Sequence, residues 1–367
     1  MRKDIAKMIS KNVQHVREMM GISLMDMQWI TGSMVRKWKV DDATEISDPS
    51  FAILIRYLYR YPQENPLPKV PEINEIENML EMYWDEVTDL KFCTKRIGPL
   101  FGCSPLAGYK WKKDAIPSQA IRHIMLILSN AIKKDGRAGL RKFIEVVKEE
   151  AMSRGIESSE MWKEGWKPYN RRKEAAEGIE KVIHGRIPKM TSKNVQHVRE
   201  KMGISLMDMQ WITGSMARKW KVDDVKEIAD PSFAILIRYL DKYPEENPLP
   251  KTPEIYEIEN MLEMYWDEVT DLKFCTKRIG PLFGCSWLAG YKWKKDAIPS
   301  QAIRHIMLIL SNAIKKDGKV GLRKFIEVVK EEAMSRGIET SEMWIDGWKP
   351  YNRRREANKK AANKKAA

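Results

Sequence analysis

Residues Ser10 to Arg172 recur as Ser192 to Arg354 without a gap, at a constant offset of 182, and 147 of the 163 aligned positions are identical. Identity at that level requires one fold for both stretches, so the chain holds two copies of a single architecture. Two equivalent copies on one chain suggest a covalent dimer. The 16 differences are mostly mild, such as Val35 against Ala217, Arg60 against Lys242 and Ser158 against Thr340. Pro105 against Trp287 is not mild. A designed fusion would more often keep its copies identical, so the pattern favours natural duplication.

Between the copies, Lys173 to Thr191 reads as a linker: helix-compatible KEAAEGIEKVI, then His184-Gly185 and Pro188 as breakers. The carboxyl end, REANKKAANKKAA, has the composition of a disordered basic tail. The resulting division is 1–70 and 71–172 in the first copy, 173–191 as linker, 192–252 and 253–354 in the second copy, and 355–367 as tail.

With 43% hydrophobic and 32% charged residues the chain is neither low-complexity nor collagen-like. No run approaches 18 apolar residues, so no membrane span and no membrane partner are expected. MRKDIAKMISKNVQHV lacks the apolar stretch of a secretory signal, so the expected location is cytoplasmic, nucleoid-associated if the host is bacterial. Cys93, Cys103, Cys275 and Cys285 lack zinc-knuckle spacing and read as buried free thiols in a reducing compartment.

The net charge of +14 is segregated along the chain. Glu72 to Asp89 holds seven acids and no base; Lys91 to Lys113 holds Lys91, Lys95, Arg96, Lys110, Lys112 and Lys113 and no acid. The second copy repeats this from Lys273 to Lys295. Such a block is either a solvated face or a phosphate-binding one. Phe92, Leu100, Phe101, Tyr109 and Trp111 lie among the bases, which makes the segment a folded unit with one basic surface, the arrangement that phosphate binding requires.

Apolar residues recur at helical spacing almost everywhere and no convincing alternating strand is present, so the fold class is all-α. Val13, Val16 and Met20 mark a first helix, and Ser23 caps Leu24 to Ile30. Thr31-Gly32-Ser33 forms a turn before Met34 to Trp38, and Asp48-Pro49 opens Ser50 to Tyr59. In the second part, Gly102-Cys103-Ser104 turns into a helix with Ser104 as N-cap and Pro105 at its first position. Trp111, nine residues after Gly102, is expected to anchor that helix to the core, and Ile116-Pro117 starts a further helix.

Here the sequence resembles the Cro and phage-repressor type of helix-turn-helix protein over Lys91 to Leu128 and Lys273 to Leu310. Glycine, a small residue, serine and a tryptophan nine after the glycine carry the resemblance. Val13 to Trp38 and Asp48 to Leu58 are similar to the first and later helices of that family. Gly108 departs from the pattern where a branched apolar residue is common, and Pro99 lies inside the presumed second helix. The resemblance implies a tandem repeat of two helix-turn-helix units per copy, a pseudo-twofold single-chain dimer binding double-stranded DNA.

By that resemblance Ser104 meets phosphate, Leu106, Tyr109 and Lys110 face the major groove, and Lys112 and Lys113 meet the backbone, beside Lys95 and Arg96. Their counterparts are Lys277, Arg278, Ser286, Leu288, Tyr291, Lys292, Lys294 and Lys295, with Trp287 making the two half-sites non-identical. Tyr109 is otherwise a packing residue. In the first unit the candidates are Gln28, Thr31, Ser33, Arg36, Lys37 and Lys39, repeated as Gln210, Thr213, Ser215, Arg218, Lys219 and Lys221. Arg36 is the best base reader, since its fork matches guanine; otherwise it is a solvated helix charge.

Met20, Met25, Met27 and Met34 read as adaptable core. The helix carrying Leu140, Phe143, Ile144 and Val147 either pairs the two copies or packs within its own unit. Trp162 to Arg172 reads as a DNA-gripping hook or a packed tryptophan pair. His15, His123, His184, His197 and His305 lack metal spacing, and no nucleophile or nucleotide-binding motif is present, so no enzyme, no cofactor and no metal are expected. A linker spanning about 60 Å when extended bridges half-sites about 34 Å apart. The expected protein is a transcription regulator or a plasmid or phage accessory factor, with self-association and the transcription or replication machinery as further possible partners. The alternative is a helical scaffold whose basic faces bind an acidic protein.

Overall fold

A computed structural model describes residues 6–33, 43–166, 187–215 and 226–348. Among them the chain is all-α, with eighteen α-helices and no strand; the bridges Ile9 to Glu45 and Thr191 to Glu227 are isolated. The first copy contributes α1 (Ser10–Met19), α2 (Leu24–Thr31), α3 (Pro49–Arg60), α4 (Ile73–Val87), α5 (Ile97–Leu100), α6 (Ala107–Lys112), α7 (Gln119–Asp135), α8 (Arg137–Ser153) and α9 (Ser158–Glu164). The second contributes α10 (Ser192–Lys201), α11 (Leu206–Thr213), α12 (Pro231–Lys242), α13 (Ile255–Thr270), α14 (Ile279–Leu282), α15 (Leu288–Lys294), α16 (Gln301–Asp317), α17 (Lys319–Ser335) and α18 (Thr340–Asp346).

Local chemistry sets several of these ends. At α2 the Ser23 hydroxyl accepts the Asp26 N–H and the Asp26 carboxylate accepts the Ser23 N–H, both at 3.1 Å, a reciprocal capping box. The Asp48 carboxylate accepts the Ser50 N–H at 2.9 Å, with Pro49 at the first position of α3. One expected cap is absent. Ser104 makes no side-chain cap; its carbonyl instead accepts the Ala107 N–H at 2.9 Å, and α6 starts two residues beyond Pro105. The cause is a close approach to α5: a Cβ on Gly98 would lie 2.0 Å from the Ser104 carbonyl oxygen. That packing commits the Ser104 backbone to the turn.

The chain forms two compact units, and each draws on both copies. One comprises residues 68–249; the other comprises 1–67 together with 250–367. In the unit of 68–249, α7 and α8 form an antiparallel hairpin turning at Gly136, with Gly139 so close to Ala131 that an added Cβ would meet its carbonyl oxygen at 2.1 Å. Helix α4 packs on α8, while α12 packs on α7 and α8, α11 on α7, and α10 on α12. Helix α12 carries Ala234, Ile235, Leu236, Ile237 and Leu240 with no exposed surface. Burying a side chain of this size contributes about 1.5–3 kcal/mol, so the helix donated by the second copy is a principal part of this core. The other unit is built alike, with α3 of the first copy seated on α16 and α17 of the second.

The chain passes from one unit to the other at 67–68 and at 249–250, so residues 1–67 complete the second copy, not their own, a grouping the sequence order did not indicate. Helix α8, expected either to pair the copies or to pack within its own unit, packs on α12 of the other copy, with Leu140, Phe143, Ile144 and Val147 buried.

Buried polar groups fix this exchange. Glu150, 1% exposed, accepts from Arg154 Nε at 2.7 Å and from Arg238 Nε at 2.8 Å. Arg154 Nη2 reaches the Ile228 carbonyl at 2.7 Å and Arg238 Nη2 the Pro188 carbonyl at 2.8 Å. The other unit repeats the triad with Glu332, Arg336 and Arg56. The Ser232 hydroxyl donates to the Phe101 carbonyl at 2.7 Å, and the Ser50 hydroxyl to that of Phe283 at 2.7 Å. Both serine bonds, and the Glu150–Arg238 and Glu332–Arg56 pairs, join residues of different copies.

Two aromatic expectations resolve. Trp162 and Trp166 are buried, Trp162 edge-on to Trp84 and the Trp166 indole N–H donating to the Pro99 carbonyl at 2.8 Å, while 167–172, the rest of the expected hook, lie outside the described residues. Trp111 is only half-buried, its ring 6.0 Å from that of Phe101. Met27 is core, Met20 and Met25 are half-buried, and Met34 lies outside the described residues. The tail 355–367 and most of the linker, 173–186, also lie outside them.

Candidate nucleic-acid interface

Helix α6 is one and a half turns long and has one side turned inward. Gly108 is buried because α6 lies against the turn at Thr94; a Cβ there would sit 3.0 Å from the Thr94 carbonyl oxygen and 3.2 Å from Ile97. This accounts for a glycine where the helix-turn-helix pattern favours a branched residue. Pro99, the other departure, lies in α5 and presents its carbonyl to Trp166.

The remaining side of α6 faces solvent. Leu106 is 57% and Tyr109 40% exposed, and Lys110 and Lys113 are exposed beside them. Tyr109 therefore leaves part of its ring on this surface. Lys91 and Lys95 are exposed too, Ser104 is half-buried at the turn, and Arg96 is half-buried. Lys112 does not join this set: its ammonium is paired with Glu77 of α4, whose carboxylate also accepts the Thr94 hydroxyl at 2.5 Å. Burial alone would raise the Glu77 pKa, but the hydrogen bonds from Lys112 and Thr94 and the Lys112 charge outweigh it and hold it below the ordinary carboxylate value. Lys294 and Glu259 repeat the pair at 2.6 Å. Lys112 and Lys294, expected at the DNA backbone, thus pair with Glu77 and Glu259 and tie a basic helix to an acidic one, because the acidic run folds against the basic one.

The second copy differs at one place. Trp287 is half-buried, its ring edge-on to Tyr291 at 6.4 Å and 5.5 Å from the Lys277 ammonium. Beside it Leu288 is 38% exposed, less than Leu106, and α15 begins one residue earlier than α6. Tyr291, Lys292 and Lys295 are exposed, Ser286 and Arg278 half-buried.

In the first segment, Gln28, Ser33, Gln210 and Ser215 are half-buried. Thr31 and Thr213 are corrected to structural residues: each is buried, and the Thr31 hydroxyl donates to the Met27 carbonyl at 2.8 Å while accepting the Ser33 N–H at 3.3 Å. A hydroxyl that closes its own helix end is not available to a partner. Arg36, Lys37, Lys39, Arg218, Lys219 and Lys221 lie outside the described residues.

Sequence reasoning overlooked the Arg-Glu-Arg triads; the signal was a Glu-Arg pair four residues apart at the end of an otherwise apolar helix stripe. It also assigned four buried thiols, whereas Cys93 and Cys275 are exposed and Cys103 and Cys285 half-buried. Burial pushes the Cys285 thiol up to about 11. The buried histidines serve packing: His123 Nδ1 lies 2.7 Å from the Ile212 carbonyl, its ring 4.1 Å from that of Trp211, and His305 repeats this with Ile30 and Trp29. Among the described residues no cluster of three or more His, Cys, Asp or Glu is arranged to hold a metal, and no helix is long and apolar enough to cross a membrane. No known protein family, curated protein or solved structure matches the chain.

Proposed function

We propose that the chain is a sequence-specific double-stranded DNA-binding protein that reads the major groove with α6 and α15. The observation that carries this reading is the outward face of α6, where Leu106, Tyr109, Lys110 and Lys113 stand exposed on a helix whose other side is packed. Leucine and tyrosine offer apolar and polar contact to base edges, and the lysines neutralise phosphates flanking them. The helix-turn-helix resemblance supports the same reading, as a tandem covalent pseudo-dimer. The role is that of a transcription regulator or a plasmid or phage accessory factor, without catalysis.

Selection from a random duplex pool by the full-length chain at about 0.15 M salt tests it. The expected result is enrichment of two related half-sites, with affinity falling steeply as salt rises. Absence of any binding would overturn the reading and favour an acidic protein partner for the same basic face.

A further inference from the structure

We propose that each DNA half-site is read by a composite surface supplied by both copies, so that the functional reading head is the compact unit and not the repeat. The proposal rests on the DNA-binding reading above and adds to it which residues act together.

In the unit of 68–249, the end of α11 from the second copy lies against the start of α7 from the first. A Cβ on Gly214 would meet Gln119 Cβ at 2.6 Å, so backbone and side chain already touch there. The His123 imidazole locks the same junction: a carbonyl only accepts, so Nδ1 carries the proton it donates to Ile212 at the end of α11. Helix α7 in turn follows α6 after the short connection Lys113 to Ser118. Gln210 and Ser215 from one copy are therefore held in the same packed unit as the exposed Lys110 and Lys113 of the other. A groove of about 730 Å³ opens at this junction, lined by Ser118 and Gln119 from the first copy and by Ser215, Lys226, Glu227 and Asp230 from the second, so the junction itself is of mixed charge.

The other unit has the same construction: Gly32 would meet Gln301 Cβ at 2.7 Å, and His305 Nδ1 lies 2.8 Å from the Ile30 carbonyl. Gln28 and Ser33 of the first copy thus belong with Lys292 and Lys295 of the second. Groups held in one packed unit approach a groove in a fixed relation. Groups of one copy are divided between units.

Hydroxyl-radical footprinting of the full-length chain on its selected duplex distinguishes the pairings. Lys110→Ala combined with Gln210→Ala removes two contacts from one unit; it is expected to raise the concentration for half-protection about tenfold at one half-site and to leave the other unchanged. Lys110→Ala combined with Gln28→Ala removes one contact from each unit and is expected to weaken both half-sites by a smaller, similar factor. All three are surface or half-buried positions, and an unchanged unfolding midpoint confirms that each variant folds. Loss of a single half-site by the Lys110 and Gln28 pair, or the same uniform loss from both pairs, would overturn the proposal. Absence of any footprint from the unsubstituted chain would instead remove the DNA reading beneath it.

Discussion

The triad at Glu150 and the outward face of α6 are both built on basic side chains, and they do opposite things with them. Arg154 and Arg238 lie inside the unit, where Glu150 and the carbonyls of Ile228 and Pro188 accept their protons. Lys110 and Lys113 stand in solvent, while Lys112 between them is neutralised by Glu77. A buried guanidinium is tolerated only where oxygen atoms meet its donors, so the triad specifies which helices come together. An exposed ammonium adds almost nothing to folding and leaves its charge for a partner. The same net charge in the sequence is thus divided between assembly and recognition.

Removing the carboxylate of the triad gives the largest expected effect. Glu150→Ala leaves two buried arginines without their counter-ion and should destabilise the unit of 68–249 by about 3–5 kcal/mol in denaturant unfolding. Because Glu332 serves the other unit, a two-step transition is expected, with only one step shifted. A change below about 1 kcal/mol would show that the triad does not specify the assembly.

The next effect probes the same junction through the backbone. Gly102 has φ +79°, and a Cβ there would meet the Ser232 N at 2.6 Å, across the contact between copies. Gly102→Ala should cost about 1–3 kcal/mol, against a change within about 0.5 kcal/mol for an exposed position such as Lys113→Ala. Equal unfolding midpoints for the two would break the contrast between junction and surface.

Lys113→Ala and Lys110→Ala should instead leave stability alone and reduce the salt dependence of DNA affinity by about one phosphate each, measured as the slope of log affinity against log salt. An unchanged slope would place the DNA face elsewhere.

The smallest effect is in pH. The folded Glu77 pKa is depressed, so its contribution is present above the unfolded carboxylate value of about 4.3 and is lost as pH falls through the folded value. Lys112→Gln should therefore flatten the acid limb of the stability curve below about pH 5, whereas Lys110→Gln should leave it unchanged.

Much of the helical framework is legible in the sequence because its determinants are local. Ser23 with Asp26, and Asp48 with Pro49, mark helix starts by chemistry that needs only neighbours within three residues. The start of α6 was misread because Ser104 looks like a cap by the same rule, while its carbonyl takes the Ala107 N–H in a turn packed against Gly98. Thr31 looks like a turn hydroxyl free for a partner, yet its bond to the Met27 carbonyl is as local as a cap.

The exchange between copies was not legible, for a physical reason. With 147 of 163 positions identical, α12 and α3 offer nearly the same buried face, and Glu150 and Glu332 the same carboxylate. Either pairing satisfies the same contacts. The chain passes from one unit to the other between Tyr61 and Glu72, where Pro62, Pro66, Pro68 and Pro71 restrict the backbone after a single 3-10 turn. Of the recognition surface, the basic run and Tyr109 were legible, and the pairing of Lys112 was not, because Glu77 is 35 residues away.

The exchange itself is open to a direct chemical test. The Ser50 hydroxyl lies 3.7 Å from the Cys285 thiol, whereas the same-copy counterpart of that thiol is Cys103. In a Ser50→Cys chain, mild oxidation should join residue 50 to whichever cysteine it faces, and the two candidate peptides differ in mass because one carries Trp287 and the other Pro105. Mass spectrometry of the digested, oxidised chain should find residue 50 linked to the Trp287 peptide within single molecules. Linkage to the Pro105 peptide would contradict the account, since each copy would then close on itself.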